Sequence, residues 1–293
     1  MSVPLAYLGV IIIWSTTPLA IKWSNETGSF LFGVTGRMAL GALLCLIIIR
    51  LWKIKFPWDR RSIQGYLALS SSMYGAMFST YWGAQFIPSG LISVLFGLTP
   101  LATSLLTLML LKGTRLTVPQ WIGMGLGLMG LAVIFQQDVQ QGSKSVWGFV
   151  AIGIAVILHA SSTLWVKHLE LKISPIALTT GGLVLAVPFY GITWIFLGSE
   201  LPQHFPVRAL LAIGYLGIFG SVVGFFSYYY VVQRVDAGKV ALITLITPIT
   251  ALLLGQALNG ETVSSHVWLG AAVVLSGLAL YQYGELLFKS KLS

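Results

Sequence analysis

The side chains that could do chemistry are few, and nearly all sit inside long apolar runs. His159 lies about thirteen residues into the run 146–166. A neutral imidazole can donate one hydrogen bond, accept another, and titrate near physiological pH. Ser162 follows at i+3 and shares its helix face. The pair predicts a contact to a substrate or a proton, although an interior histidine can equally be a packing residue with its bonds satisfied locally. Arg37 falls about seven residues into the run 30–50, roughly 10 Å deep at 1.5 Å per residue. Lys22 closes the first run on the same side. Together they read as cations near an outer vestibule that attract a substrate carboxylate. The structural alternative has Arg37 bonding helix-end carbonyls and Lys22 reaching the interface.

Two Thr-Pro steps form a matching pair: Thr99-Pro100, with Phe96 three residues earlier, and Thr247-Pro248, with Thr244 three residues earlier. A proline inside a helix frees a carbonyl and kinks the rod. Freed carbonyls and threonine hydroxyls can meet a zwitterion or an amide, and paired broken helices point to a binding site. Thr17-Pro18, three residues after Trp14, is a third such step. Tyr74, Phe78 and Tyr81 recur at helical spacing in one run, and Tyr229 lies in a second aromatic cluster. Tyr81 and Tyr229 are expected as paired gates, whereas Trp52, Phe56 and Trp58 read as an interfacial belt. No Asp or Glu lies mid-run, no metal-ligand spacing surrounds any histidine, and no phosphate-cradling glycine loop occurs. A carboxylate proton relay, a metal, a cofactor and direct drive by ATP are therefore not expected. His159 is left as the one evident proton carrier.

The elements that hold these groups follow from composition. Of 293 residues, 56% are hydrophobic and only 9% are charged, against roughly 25% charged in a soluble domain. Too little polar surface exists to cover a water-soluble globule, so the solvent is a bilayer. The net charge of +9 sits in short gaps between apolar runs rather than on a polar face, which argues against nucleic acid. Cys45 lies within such a run and reads as a small buried hydrophobe. The start of the chain lacks the basic region of a cleaved signal, so the first run is expected to remain as a span.

A helix crossing the hydrocarbon core needs about 20 apolar residues. Runs of that kind fall near 4–23, 30–50, 63–84, 90–111, 119–136, 146–166, 174–197, 208–232, 239–258 and 266–288. The expected fold is an all-α integral membrane protein of ten transmembrane helices. With the N-terminus cytoplasmic, thirteen Lys and Arg fall in inner segments and three, Lys22, Lys144 and Arg208, in outer ones. That bias places both termini inside.

The chain is also written twice. Trp14 to Lys22 aligns with His159 to Lys167 at an offset of 145. Ser79, Tyr81, Gln85, Gly90, Thr99 and Pro100 align with Ser227, Tyr229, Gln233, Gly238, Thr247 and Pro248 at 148. Trp121, Gly123 and Gly130 align with Trp268, Gly270 and Gly277 at 147. The copies are expected at 1–140 and 145–293. Five spans per copy is an odd number, so the second copy enters the membrane inverted. Such repeats build alternating-access transporters with a site near half depth.

These motifs carry a family resemblance. Trp14-Ser15 followed by Lys22, Arg37 in the second span, Thr99-Pro100-Leu101, and the series Pro248, Gly260-Glu261, Trp268-Leu269-Gly270 resemble the EamA family of the drug/metabolite transporter superfamily. The resemblance spans essentially the whole chain. It implies ten helices, cytoplasmic ends and export of a small metabolite across the inner membrane, the best-understood relatives exporting amino acids. One departure is visible: Thr114 stands after Gly113 where the family has Glu, while the second copy keeps Glu261. The expected partners are a small-molecule substrate and the bilayer, and nothing in the sequence assigns an oligomeric state. Nucleobases, amines or drugs are alternative cargoes. A membrane-embedded lipid-processing enzyme is the alternative of another class, but no paired carboxylates or His-Glu-x-x-His motif supplies catalytic residues.

Overall fold

A computed structural model describes residues 2–110, 116–141, 144–197, 201–232, 234–235 and 237–289. Side chains at 137–141, 229, 232, 237–241 and 285–289 lie outside that description. The described residues contain helices and turns only. Their order is α1 (Val3–Ser24), α2 (Phe30–Leu51), α3 (Arg60–Ser71), α4 (Met77–Gly83), α5 (Ser89–Gly97), α6 (Thr99–Leu110) and α7 (Val118–Gln141). Then follow α8 (Lys144–His168), α9 (Pro175–Phe196), α10 (Val207–Tyr215), α11 (Gly224–Val232), α12 (Ala237–Asn259) and α13 (Ser265–Lys289).

Several of these helices join into longer rods. A π-helical segment, Ser72–Ala76, links α3 to α4, and a second, Leu216–Val223, links α10 to α11. Leu98 separates α5 from α6 at the Thr99-Pro100 step. Ten rods result among the described residues, matching the ten expected spans within a few residues. Nine are long and apolar enough to cross a membrane. The exception is the third, α3–α4, which opens with Arg60-Arg61 and carries Ser62, Gln64 and the run Ser70-Ser71-Ser72. It packs against α8 and α9, and Ser62, Ser70, Ser72 and Thr80 are buried. A rod enclosed by other helices need not present an apolar surface to lipid.

Glycine contacts are consistent with the inversion. A Cβ on Gly123 would lie 2.5 Å from the Gly277 carbonyl oxygen, and one on Gly130 would lie 2.6 Å from that of Gly270. As the number rises along α7 it falls along α13, so the two helices are antiparallel. Yet α7 and α13 occupy the same place in the two copies, since Gly123 aligns with Gly270 and Gly130 with Gly277. The copies therefore run in opposite senses. Other contacts obey the same two-fold: Gly181 of α9 admits the Tyr66 ring of α3, and Gly36 of α2, its repeat partner, admits Ile213 of α10. Small residues allow such close approach where lipid supplies no hydrophobic drive between helices.

Candidate binding site between the repeats

The site is built where the first rod of each copy meets the π-bearing rod of the other. In the first copy, the Trp14 ring lies 4.7 Å from that of Tyr228 on α11. Its Nε1 is 3.7 Å from where a Cβ on Gly224 would stand. In the second copy, His159, the repeat partner of Trp14, meets the π segment Ser72–Ala76. Its Nδ1 lies 2.9 Å from the Ser72 hydroxyl, and the Phe96 ring packs edge-on at 6.1 Å. Neither residue is fully covered.

The two π segments overlap under the repeat, since an offset of 148 carries Ser72–Ala76 onto 220–224. Each widened turn is held by a side chain from a neighbouring rod. Tyr190 of α9 donates to the Met73 carbonyl at 2.7 Å and lies 3.1 Å from that of Tyr74. Arg37 of α2 donates from Nε to the Ser221 hydroxyl at 3.2 Å. π-segments inside α-helices occur frequently at functional positions.

The Thr-Pro steps behave unequally. Thr99 donates to the Phe96 carbonyl at 2.6 Å, and Thr103 donates to the Thr99 carbonyl at 2.8 Å. The fourth rod is divided there, whereas α12 runs through Pro248 unbroken. Gly97, beside the division, packs against Pro248 at 3.6 Å, measured from a Cβ built on it. The Pro100 and Pro248 regions thus adjoin. Thr244 accepts from Gln282 Nε2 at 3.3 Å, and Thr247 is buried. Pro18 lies inside α1, where Thr17 donates to the Ile13 carbonyl at 2.7 Å.

Other expected residues are placed differently from one another. Ser162 is buried and donates to the Ala68 carbonyl at 2.7 Å, tying α8 to α3. Tyr74 bonds to Thr193, and its ring sits 5.0 Å from Tyr190. Phe78 packs edge-on against Phe30 at 5.3 Å. Both therefore join an aromatic cluster shared with α2 and α9. Tyr81 is fully buried, and its hydroxyl stands beside Arg37 and Ser24 without a well-aligned hydrogen bond to either. The side chain of Tyr229 lies outside the described residues, as do Gly113 and Thr114. Lys22 and Arg37 have separate hydrogen-bond partners: Lys22 donates to the Ile87 carbonyl at 2.7 Å, while Arg37 is buried against the eighth rod. Among the described residues no group of His, Cys, Asp and Glu could hold a metal.

Near Lys22 a polar network ties rod ends together on the side that the charge bias assigns to the outside. Glu261 accepts from the Ser89 backbone N–H and hydroxyl, each at 2.9 Å, and from Asn259 Nδ2 at 2.9 Å. Trp23 Nε1 donates to Asn259 Oδ1 at 2.9 Å, and Arg208 forms an ion pair with Glu26. The first, fourth, eighth and ninth rods are joined by these bonds.

Sequence reasoning singled out Tyr229 rather than Tyr228, and passed over Ser72, Tyr190, Ser221 and Gln282. Tyr229 came from the repeat offset of 148 that pairs it with Tyr81, and its side chain lies outside the described residues. The hydroxyl partners carry no spacing signal of their own.

The EamA-like transporter family matches residues 1–136 and again 146–283. The chain belongs to that family. It is 27% identical over 291 residues to an uncharacterized inner membrane transporter of Escherichia coli, YedA, covering 98% of this chain and 92% of that protein. It is 27% identical over 283 residues to protein PagO of Salmonella typhimurium, covering 96% and 92%. An uncharacterized transporter of Bacillus subtilis, YoaV, is 23% identical over 287 residues, covering 95% and 96%. A solved crystal structure shares the fold with a TM-score of 0.66 at 18% identity, over 96% of this chain and 97% of the other. Family membership and the apolar rods make this EamA-like chain a multi-pass membrane transporter.

Proposed function

We propose that the chain is a secondary transporter that exports a small metabolite, of the amino-acid class, across the inner membrane by alternating access. The relative named as an inner membrane transporter supports the location. The observation that carries the mechanism is the pairing of repeat partners with opposite copies: Trp14 against the eighth rod and His159 against the third. The His159 contact falls in the first π segment and the Trp14 contact just past the second, on α11, where one rod can bend without losing its whole ladder of hydrogen bonds. An inverted repeat gives two equal-cost arrangements, each with one copy's π-bearing rod swung toward the shared site. The substrate meets Trp14, Tyr228, His159 and Phe96, with Thr244 and Gln282 on the ninth and tenth rods beside it. Apolar and aromatic walls with few hydroxyls suit a neutral or zwitterionic molecule. No carboxylate lies mid-span to relay protons, so export runs down a gradient or by exchange, with His159 the available proton carrier.

Counterflow in proteoliposomes, with amino acids, nucleobases and amines each loaded inside, tests this reading. Amino acids are expected to exchange, and Trp14→Ala and His159→Ala to lower the rate at least tenfold while folded protein is retained. Flux equal to that of empty vesicles across the panel would refute transport of these classes. Unchanged rates in both variants would remove the site.

A further inference from the structure

We infer that Arg37 binds a carboxylate, at a subsite formed against the π segment of the eighth rod, about one turn from the Trp14 contact. This deepens the transport reading above and rests on it for the location of the rest of the substrate. Arg37 is 4% exposed, and guanidinium stays charged under all conditions a protein meets. Its Nε is used by Ser221. Its Nη2 lies 3.1 Å from where a Cβ on Gly220 would stand, so it rests on the backbone of the π segment. Its Nη1 is buried with no hydrogen-bond partner. Among the described residues the one ion pair is Arg208–Glu26, at a rod end. A cation sealed among helices with an unused donor calls for an anion.

Depth and neighbours indicate which anion. Arg37 enters about 10 Å from the start of α2 and Ser221 about 21 Å from the start of the eighth rod, so the long side chain reaches toward the middle of the membrane. Gly220 and Gly224 are four residues apart on one rod. The Arg37 guanidinium touches the first and the Trp14 indole N–H stands by the second. The Tyr81 ring packs at Gly33, one turn from Arg37 on α2, and its buried hydroxyl stands beside the Arg37 guanidinium. A guanidinium beside the Tyr81 hydroxyl, with the Trp14 indole N–H about one turn along the eighth rod, suits the two oxygens of a carboxylate. No described acidic side chain lies beside it to recognise an ammonium, so the carboxylate is the required handle and the amine is expendable.

Thermal stabilisation of the purified protein in detergent provides a readout independent of flux, because a ligand stabilises the state it binds. The probes are L-amino acids, propionate, butyrate and phenylpropionate as deaminated analogues, and amino-acid amides, with sodium chloride as the ionic-strength blank. The expected result is saturable stabilisation by at least one carboxylate, with its amide at least tenfold weaker. Arg37→Gln should abolish the shift, and Arg37→Lys should weaken it tenfold or more while keeping preference for acid over amide. Should Arg37→Gln not fold, Ser221→Ala and Tyr81→Phe replace it. Each is then expected to weaken the carboxylate at least threefold without altering the amide. Absence of any carboxylate shift, equal shifts by acid and amide, equal shifts by chloride, or undiminished binding in the variants overturns the assignment. A carboxylate shift without counterflow of amino acids would sink the amino-acid export reading and leave the anion site standing. Counterflow of cargoes lacking a carboxylate would do the reverse.

Discussion

The antiparallel contact of α7 and α13 gives a prediction whose size follows from distances. A Cβ on Gly123 would stand 2.5 Å from the Gly277 carbonyl oxygen and 2.8 Å from the Tyr281 backbone nitrogen. Backbone cannot swing aside as a side chain can, so Gly123→Ala forces the helices apart by about 1 Å to restore ordinary contact. That separation loosens packing along the shared face and costs about 1–3 kcal/mol. Removing a helical glycine returns about 1 kcal/mol, so the net loss is about 0–2 kcal/mol, against a gain where the new methyl meets nothing. The two-fold predicts the same loss for Gly270→Ala, whose Cβ would meet the Gly130 carbonyl at 2.8 Å. Gly125 lies on the same helix, and a Cβ there would have nothing within 4 Å, so Gly125→Ala should be neutral or stabilising. Gly123→Ala with Gly277→Ala should lose less than the sum, since the first methyl has already opened the gap for the second. Thermal unfolding in one detergent ranks the variants. Gly123→Ala as stable as Gly125→Ala would refute both the close approach and the antiparallel pairing inferred from it.

Three further outcomes are expected. Tyr190→Phe removes the hydroxyl that bonds Met73 and Tyr74 carbonyls in the first π segment, and should cost about 1–2 kcal/mol of thermal stability; an unchanged melting curve would show that the turn does not depend on it. Glu261→Ala uncaps α5 at Ser89 and releases Asn259, for a loss of about 1–2 kcal/mol. Glu261→Gln, which keeps one acceptor, should fall between it and wild type in the same assay. Asp59 caps α3, and hydrogen bonds from the Ser62 hydroxyl and backbone N–H hold its carboxyl below the usual range. A depressed folded-state value means its contribution is complete above about pH 4, the unfolded value, and is lost as pH falls below it. Asp59→Asn keeps a capping acceptor without the titration, so its melting temperature should change less than that of wild type between pH 6 and pH 3. Parallel curves would remove Asp59 from acid destabilisation.

The alternating access proposed above would need rods that bend in matching places, and π segments lie in the third and eighth. The tethers are chemically unlike: a neutral Tyr190 in one copy, a charged Arg37 in the other, with Gly182 in the place that would repeat Arg37. Such asymmetry lets one end of the site differ in charge from the other although the backbone repeats.

Much of this was legible in the chain itself. Rod positions followed from the length of apolar runs, since a bilayer of fixed thickness imposes its own ruler, and the odd number of spans per copy required inversion. The third rod was the least apolar, and only its enclosure by α8 and α9 explains why. Sequence determined the number of rods, the repeat and the scarcity of polar groups, because these depend on solvent and chain alone. Tertiary structure decided which polar groups meet. Arg37 finds Ser221 across 184 residues and His159 finds Ser72 across 87. Hydrogen bonds between rods depend on helix rotation and on an extra residue in a π turn, neither of which leaves a periodic trace.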